Sequence, residues 1–250
     1  MSDEAQEDDL SEEEGEQGAE DAEPPVLDEE TRARRSSAMT EIRAFGDPVL
    51  KSVASLVTEF DAELETEATR MIELMHDALG VGLAATQLGA MRRLLVFQAG
   101  PDAEPRALVN PRVEWTSELT ISAEEGCLSL PRIVVDVARP LHARISGVDT
   151  SGESILLEAS GLEARILQHE IDHLDGVLIL DRTERVQRRA SMKALREGEA
   201  FSPDMLEPPE EVATNPGAES AVEPAVESGV GSGAGSTGEG EPAEVSSRPS

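Results

Sequence analysis

A single cysteine, Cys127, stands in the 250 residues of this chain. No intrachain disulfide is available, which excludes a small secreted scaffold held by cross-links. No run of about 18 apolar residues occurs, so nothing reads as a membrane span. The N-terminus has neither a basic region nor an apolar one after it, and it is too acidic for an organellar transit peptide. A cytoplasmic protein is expected. Basic residues are also scarce, 21 against 52 acidic ones, for a net charge of −31. Such a polyanion gains nothing by releasing counterions from DNA, so generic nucleic-acid binding is excluded.

The charge is unevenly spread. Residues 1–30 hold 15 acidic residues and no Lys or Arg, and residues 202–250 hold 10 acidic residues and Arg248 alone. The stretch between them is nearly balanced, with 27 acidic and 20 basic residues, and is long enough to bury a core. Three parts are expected: a disordered acidic tail over 1–38, a folded domain over 39–201, and a disordered acidic tail rich in Pro, Gly and Ser over 202–250. Within the central part, Asp61 reads as the N-cap of an amphipathic helix over 61–79, ended by Gly80. A Gly-rich turn follows. Strands are expected at 93–98, 107–110, 113–118, 119–123, 126–130 and 133–137, with a hairpin of 144–148 and 154–158 around Asp149-Thr-Ser-Gly152. Helices are expected over 161–174 and 182–197. Strands grouped between helices predict an α+β domain.

The sharpest motif is Gln168-His169-Glu170-Ile171-Asp172-His173-Leu174. Residues four apart share a helix face, so His169 and His173 are candidate ligands of one metal, with Glu170 placed to take a proton from a water there. A catalytic site of the zinc type needs a third protein ligand and an open position. Downstream of His173 there is no further His, and the next acids come too early for a second helix. Upstream, Cys127 lies in Glu124-Glu125-Gly126-Cys127-Leu128-Ser129 and completes a Cys/His/His set. Gly80-Val81-Gly82-Leu83-Ala84-Ala85-Thr86-Gln87 lets backbone approach something bulky and supplies, at Gln87, an amide donor for a developing oxyanion. It contains no nucleotide-binding fingerprint.

Together these three blocks, in this order, resemble the peptide deformylases over about residues 42–196, with no departure at a motif position. Phe45-Gly-Asp-Pro-Val-Leu50 and Leu174-Asp-Gly-Val-Leu178 are also similar to the family. The resemblance implies an α+β fold of antiparallel sheets around a central metal-binding helix. It implies a hydrolase of translation and N-terminal processing, which removes the N-formyl group from the initiator methionine of nascent proteins. It also implies Cys127, His169 and His173 as ligands of one Fe2+, with Zn2+, Ni2+ or Co2+ as substitutes; the ligand set itself suits either iron or zinc. On this reading Glu170 is the general base, and Gln87 and the Leu128 N–H hold the oxyanion.

Leu162 and Ile166, seven and three residues before His169, fall on its helix face and read either as walls of a methionine slot, completed by Val81 and Gly82, or as plain core. Glu125 is read as orienting the site or as solvated. Arg182, Arg185, Arg188, Arg189, Lys193 and Arg196 put six bases on the last expected helix, a solvated face or a docking face for the ribosome near the peptide exit. Two other readings stand beside this one: a metalloprotease using the same helix, and a scaffold whose tails do the work.

Overall fold

The computed structural model describes residues 27–206; the expected tail segments 1–26 and 207–250 lie outside the described residues. In chain order the elements are α1 (Glu29–Glu41), α2 (Ala62–Asp77), β1 (Gly82–Ala84), β2 (Leu94–Phe97), β3 (Arg106–Thr116), β4 (Thr120–Cys127), β5 (Leu130–Pro140), β6 (His142–Val148), β7 (Ser154–Ser160), α3 (Gly161–Leu174), α4 (Ile179–Arg182) and α5 (Arg185–Glu197). Five strands form one antiparallel sheet in the order β1-β2-β3-β6-β7, and β4 and β5 form a separate hairpin. This is the α+β arrangement expected.

Strand β2 explains the layering. Successive strand residues point to opposite faces. Leu94 and Val96 enter one cluster with Leu64, Met71 and Met75 of α2, while Leu95 and Phe97 enter another with Leu167, Ile171 and Leu174 of α3. The sheet is therefore covered on both faces, which is why Leu94-Leu-Val-Phe97 is apolar without alternation. Helix α3 lies between the main sheet and the β4–β5 hairpin, and nine of its fourteen residues are buried. A third cluster joins β5 to α4 and α5 through Ile133, Val135, Leu180 and Ala194.

Several local expectations need correction. Residues 29–38, placed in a disordered tail, are helical in α1. Asp28 caps this helix by accepting from Thr31 N at 2.7 Å. Ala38, Met39 and Ile42 pack with Leu64, Ala68 and Met71 of the neighbouring helix. The helix is only weakly amphipathic; its order comes from docking on α2, a long-range contact that local composition does not show. Leu79, at φ 60°, takes the left-handed position expected of Gly80. The three separate segments over 107–123 merge into β3 and the start of β4, with a register shift at Asn110–Pro111 absorbing the proline. The Gly-rich segment contains β1 and a 3-10 turn, Ala85–Leu88. Strand 126–130 is broken by a turn at Leu128–Ser129. The last helix begins at Arg185, after the short α4.

Candidate metal centre

The i, i+4 spacing on α3 puts the His169 and His173 rings 4.9 Å apart. Cys127, the last residue of β4, brings Sγ to 3.2 Å from His173 Nε2. One ligand atom from each of the three lies within 4.8 Å of the others. A tetrahedral ion with bonds of about 2.0–2.3 Å spaces its ligands about 3.5 Å apart, so the set fits a single ion. The electrostatics agree. Burial works against a charge on His169, yet hydrogen bonds to Cys127 and Glu125 push its pKa up to about 10. Burial, then the neighbouring His169, holds His173 well below its ordinary value, leaving a neutral imidazole.

Glu125 is buried, which removes the solvated alternative. Its Oε2 faces His169 Nδ1 at 2.9 Å, leaving Nε2 for the metal side. It also accepts from Arg139 Nε at 2.6 Å and Nη2 at 2.9 Å, and from Arg165 Nη1 at 2.7 Å. Burial alone would raise its pKa, but His169 and Arg139 overcome this and hold it at about 2. Arg139 continues the chain to Asp172 Oδ2 at 2.9 Å, where Arg182 also donates at 3.0 Å. Sequence reasoning missed Arg139. Its position on β5 is inward, next to the inward positions of Val135 and Val137, but an arginine there has no signal until Glu125 and Asp172 are seen around it. Arg165 lines the cleft described below and also ties α3 to the hairpin through Val137 O and Ile121 O.

Glu170 lies beside the ligands with Oε2 buried and without a hydrogen-bond partner among the described residues. Burial pushes its pKa up to about 7. Gly82 is what lets β1 pass so close: a Cβ there would stand 2.8 Å from both Cγ and Cδ of Glu170. Gln87 is clamped by Ala84 N, which donates to its Oε1 at 2.9 Å; its Nε2 donates to Ser129 Oγ at 3.2 Å and points to Cys127 Sγ at 3.8 Å.

A cleft of about 380 Å³ opens over these groups. Val81, Gly82, Leu128, Leu162 and Ile166 all line it. Val81 and Leu162 are half exposed, whereas Ile166 is buried and belongs to the core cluster while also lining the cleft. Arg35, expected in the tail, and Met39 also line it. Of the six bases expected on one helix, Arg182 lies on α4 and is bound to Asp172, Arg188 is 3.6 Å from Asp181, and Lys193 is 3.8 Å from Glu197.

The model of the polypeptide deformylase family matches residues 39–189. The chain belongs to this family. It is 46% identical over 162 residues to the peptide deformylase of Acidothermus cellulolyticus, covering 65% of this chain and 88% of that one. To the peptide deformylase of Thermotoga maritima it is 44% identical over 157 residues, 63% and 94% of the two chains. The crystal structure of the Thermotoga maritima peptide deformylase superposes with a TM-score of 0.56 at 45% identity, over 57% of this chain and 96% of that one. That of the Synechococcus elongatus peptide deformylase in complex with actinonin gives 0.59 at 38% identity, over 64% and 88%. The deformylase fold and activity are those of this chain: a metal-dependent amidohydrolase that removes the N-formyl group from N-terminal methionine.

Proposed function

We propose that Cys127, His169 and His173 hold one Fe2+, for which Zn2+, Ni2+ or Co2+ substitutes, and that Glu170 is the proton carrier of the reaction. The observation that carries this is the buried, unpartnered Glu170 Oε2 beside a Cys/His/His set. When bound, a divalent ion supplies a lowered pKa for a neighbouring water and a positive charge for the formyl oxygen. Glu170, with a pKa raised toward neutrality, takes a proton from that water. The water oxygen adds to the formyl carbon. The oxyanion formed there accepts from the Leu128 N–H and from the Gln87 Nε2 hydrogen that now faces sulfur at 3.8 Å. The C–N bond then breaks, Glu170 gives its proton to the amine, and formate and a free N-terminus leave. Glu125 keeps the His169 ring turned for ligation, and Arg139 keeps Glu125 ionised.

Leu162, Ile166, Val81 and Gly82 form the slot for the unbranched methionine side chain. The substrate is the nascent chain, so the protein works in the cytoplasm; no helix among the described residues is long and apolar enough to cross a membrane. Arg185, Arg189 and Arg196 of α5 have no carboxylate partner among the described residues and form the face that docks on the ribosome near the peptide exit.

The test is anaerobic purification, metal analysis, and formate release from a formyl-Met tripeptide, wild type beside Glu170→Ala. About one iron per chain in both proteins is expected, with turnover lost in the variant by several orders of magnitude. A Glu170→Ala enzyme that still releases formate at the wild-type rate refutes the role of Glu170. Cleavage of unformylated peptides with no formate release would favour a protease.

A further inference from the structure

Helix α1 lies almost wholly ahead of the family match, which starts at residue 39, yet two of its residues line the substrate cleft. Met39 is partly buried and packs in the same cluster as Leu128. Arg35 donates from Nε to Ala78 O at 3.3 Å, which fixes the guanidinium at the end of α2. Its Nη groups have no carboxylate partner among the described residues, unlike Arg34 next to it, which reaches Asp77. Apart from Glu125, Cys127, His169 and Glu170 at the centre itself, three other ionisable side chains line the cleft. Arg165 is neutralised by Glu125, Arg132 donates to Gly198 O without a carboxylate partner, and Glu124 is exposed. The mouth therefore carries two uncompensated guanidiniums against one carboxylate.

The distance from the reacting centre is bounded by the chain. Arg35 is hooked to Ala78, four residues before Gly82, whose backbone abuts Glu170. Four residues reach at most about 14 Å. An extended substrate advances about 3.3 Å per residue, so Arg35 falls within reach of its first four residues.

We propose that α1 forms the downstream wall of the cleft and that Arg35 selects substrates bearing a carboxylate side chain within the few residues after formyl-methionine. This rests on the deformylase reading of the site. Arg35 is a specificity residue and takes no part in the bond-breaking steps.

The experiment compares kcat/KM of the full-length iron enzyme for formyl-Met peptides with Glu, Gln or Lys at the second, third or fourth position. Wild type, Arg35→Gln, Arg35→Lys, Arg35→Glu and Arg34→Gln are measured at low and at high salt. The wild type is expected to favour Glu over Gln by about fivefold at its best position, mainly through KM, the size of an exposed ion pair. Arg35→Lys keeps the preference, Arg35→Gln abolishes it, and Arg35→Glu turns it toward Lys. Arg34→Gln, on the same helix but outside the cleft, leaves the ratio unchanged, and high salt compresses it. A Glu/Gln ratio that is unchanged in Arg35→Gln and Arg35→Glu, with formate still released, overturns the inference alone. Absence of formate release from every peptide by the wild type overturns the deformylase reading and this inference with it.

Discussion

Replacing Gly82 by alanine tests the geometry of the centre without replacing any ionisable group. The added Cβ would stand 2.8 Å from Glu170 Cγ and Cδ, and closer still to Oε1. Ordinary van der Waals contact begins at 3.4 Å, so at least 0.6 Å of movement is required. The obstacle is the end of a flexible side chain rather than backbone, so the side chain yields and the strand stays. Because Cγ itself is in the way, relief comes by rotation about χ1, which carries the carboxylate further than Cγ. A displacement of about 1 Å at a reacting group costs on the order of a hundredfold in rate. Gly82→Ala is therefore expected to lower kcat about a hundredfold while metal content and thermal midpoint change little. The comparison is Gly147→Ala, whose Cβ would lie 2.7 Å from Leu108 Cδ1 and 3.0 Å from the Val109 carbonyl oxygen. That site lies on β6 and does not line the cleft, so stability is expected to fall with kcat retained in the folded fraction. Full activity in Gly82→Ala, with Glu170 displaced in its structure, would refute the assignment of Glu170 as a residue whose position limits the rate.

Two further predictions concern stability. Arg139→Met leaves Glu125 and Asp172 buried with only part of their partners, and breaking such a network is expected to cost about 3 kcal/mol, read from denaturant unfolding; a loss below roughly 1 kcal/mol would show that Arg165 and Arg182 suffice. Asp181 accepts from Lys51, which together with the Leu178 N–H outweighs burial and holds its pKa below the ordinary 3.8. A depressed carboxylate pKa stabilises the fold above 3.8 and loses that contribution as pH falls through its lower folded value. Asp181→Asn should therefore lower the thermal midpoint at neutral pH and flatten its decline in acid, and parallel pH profiles for the two proteins would refute the pairing.

Local pattern was enough to reveal the chemistry. The i, i+4 histidines bracket Glu170 because helical periodicity alone puts 169 and 173 on one face, and no fold is needed to see it. Asp61 as a helix cap, the hairpin at Asp149–Gly152 and the 161–174 helix are legible for the same reason: each depends on neighbours in sequence. What depends on residues far apart was decided by the tertiary structure. Arg139 carries no signal in the sequence until β5 folds it between Glu125 and Asp172. Residues 29–38 read as the end of an acidic tail, because the helix they form is held by Leu64, Ala68 and Met71 of α2 rather than by its own pattern. Ile166 could not be assigned to core or cleft from its spacing, since it serves both, one side of the helix facing the sheet and the other the ligands. The sequence by itself determined which residue types meet at the centre. Only long-range packing decided how they are oriented, what neutralises them, and which wall faces the departing peptide.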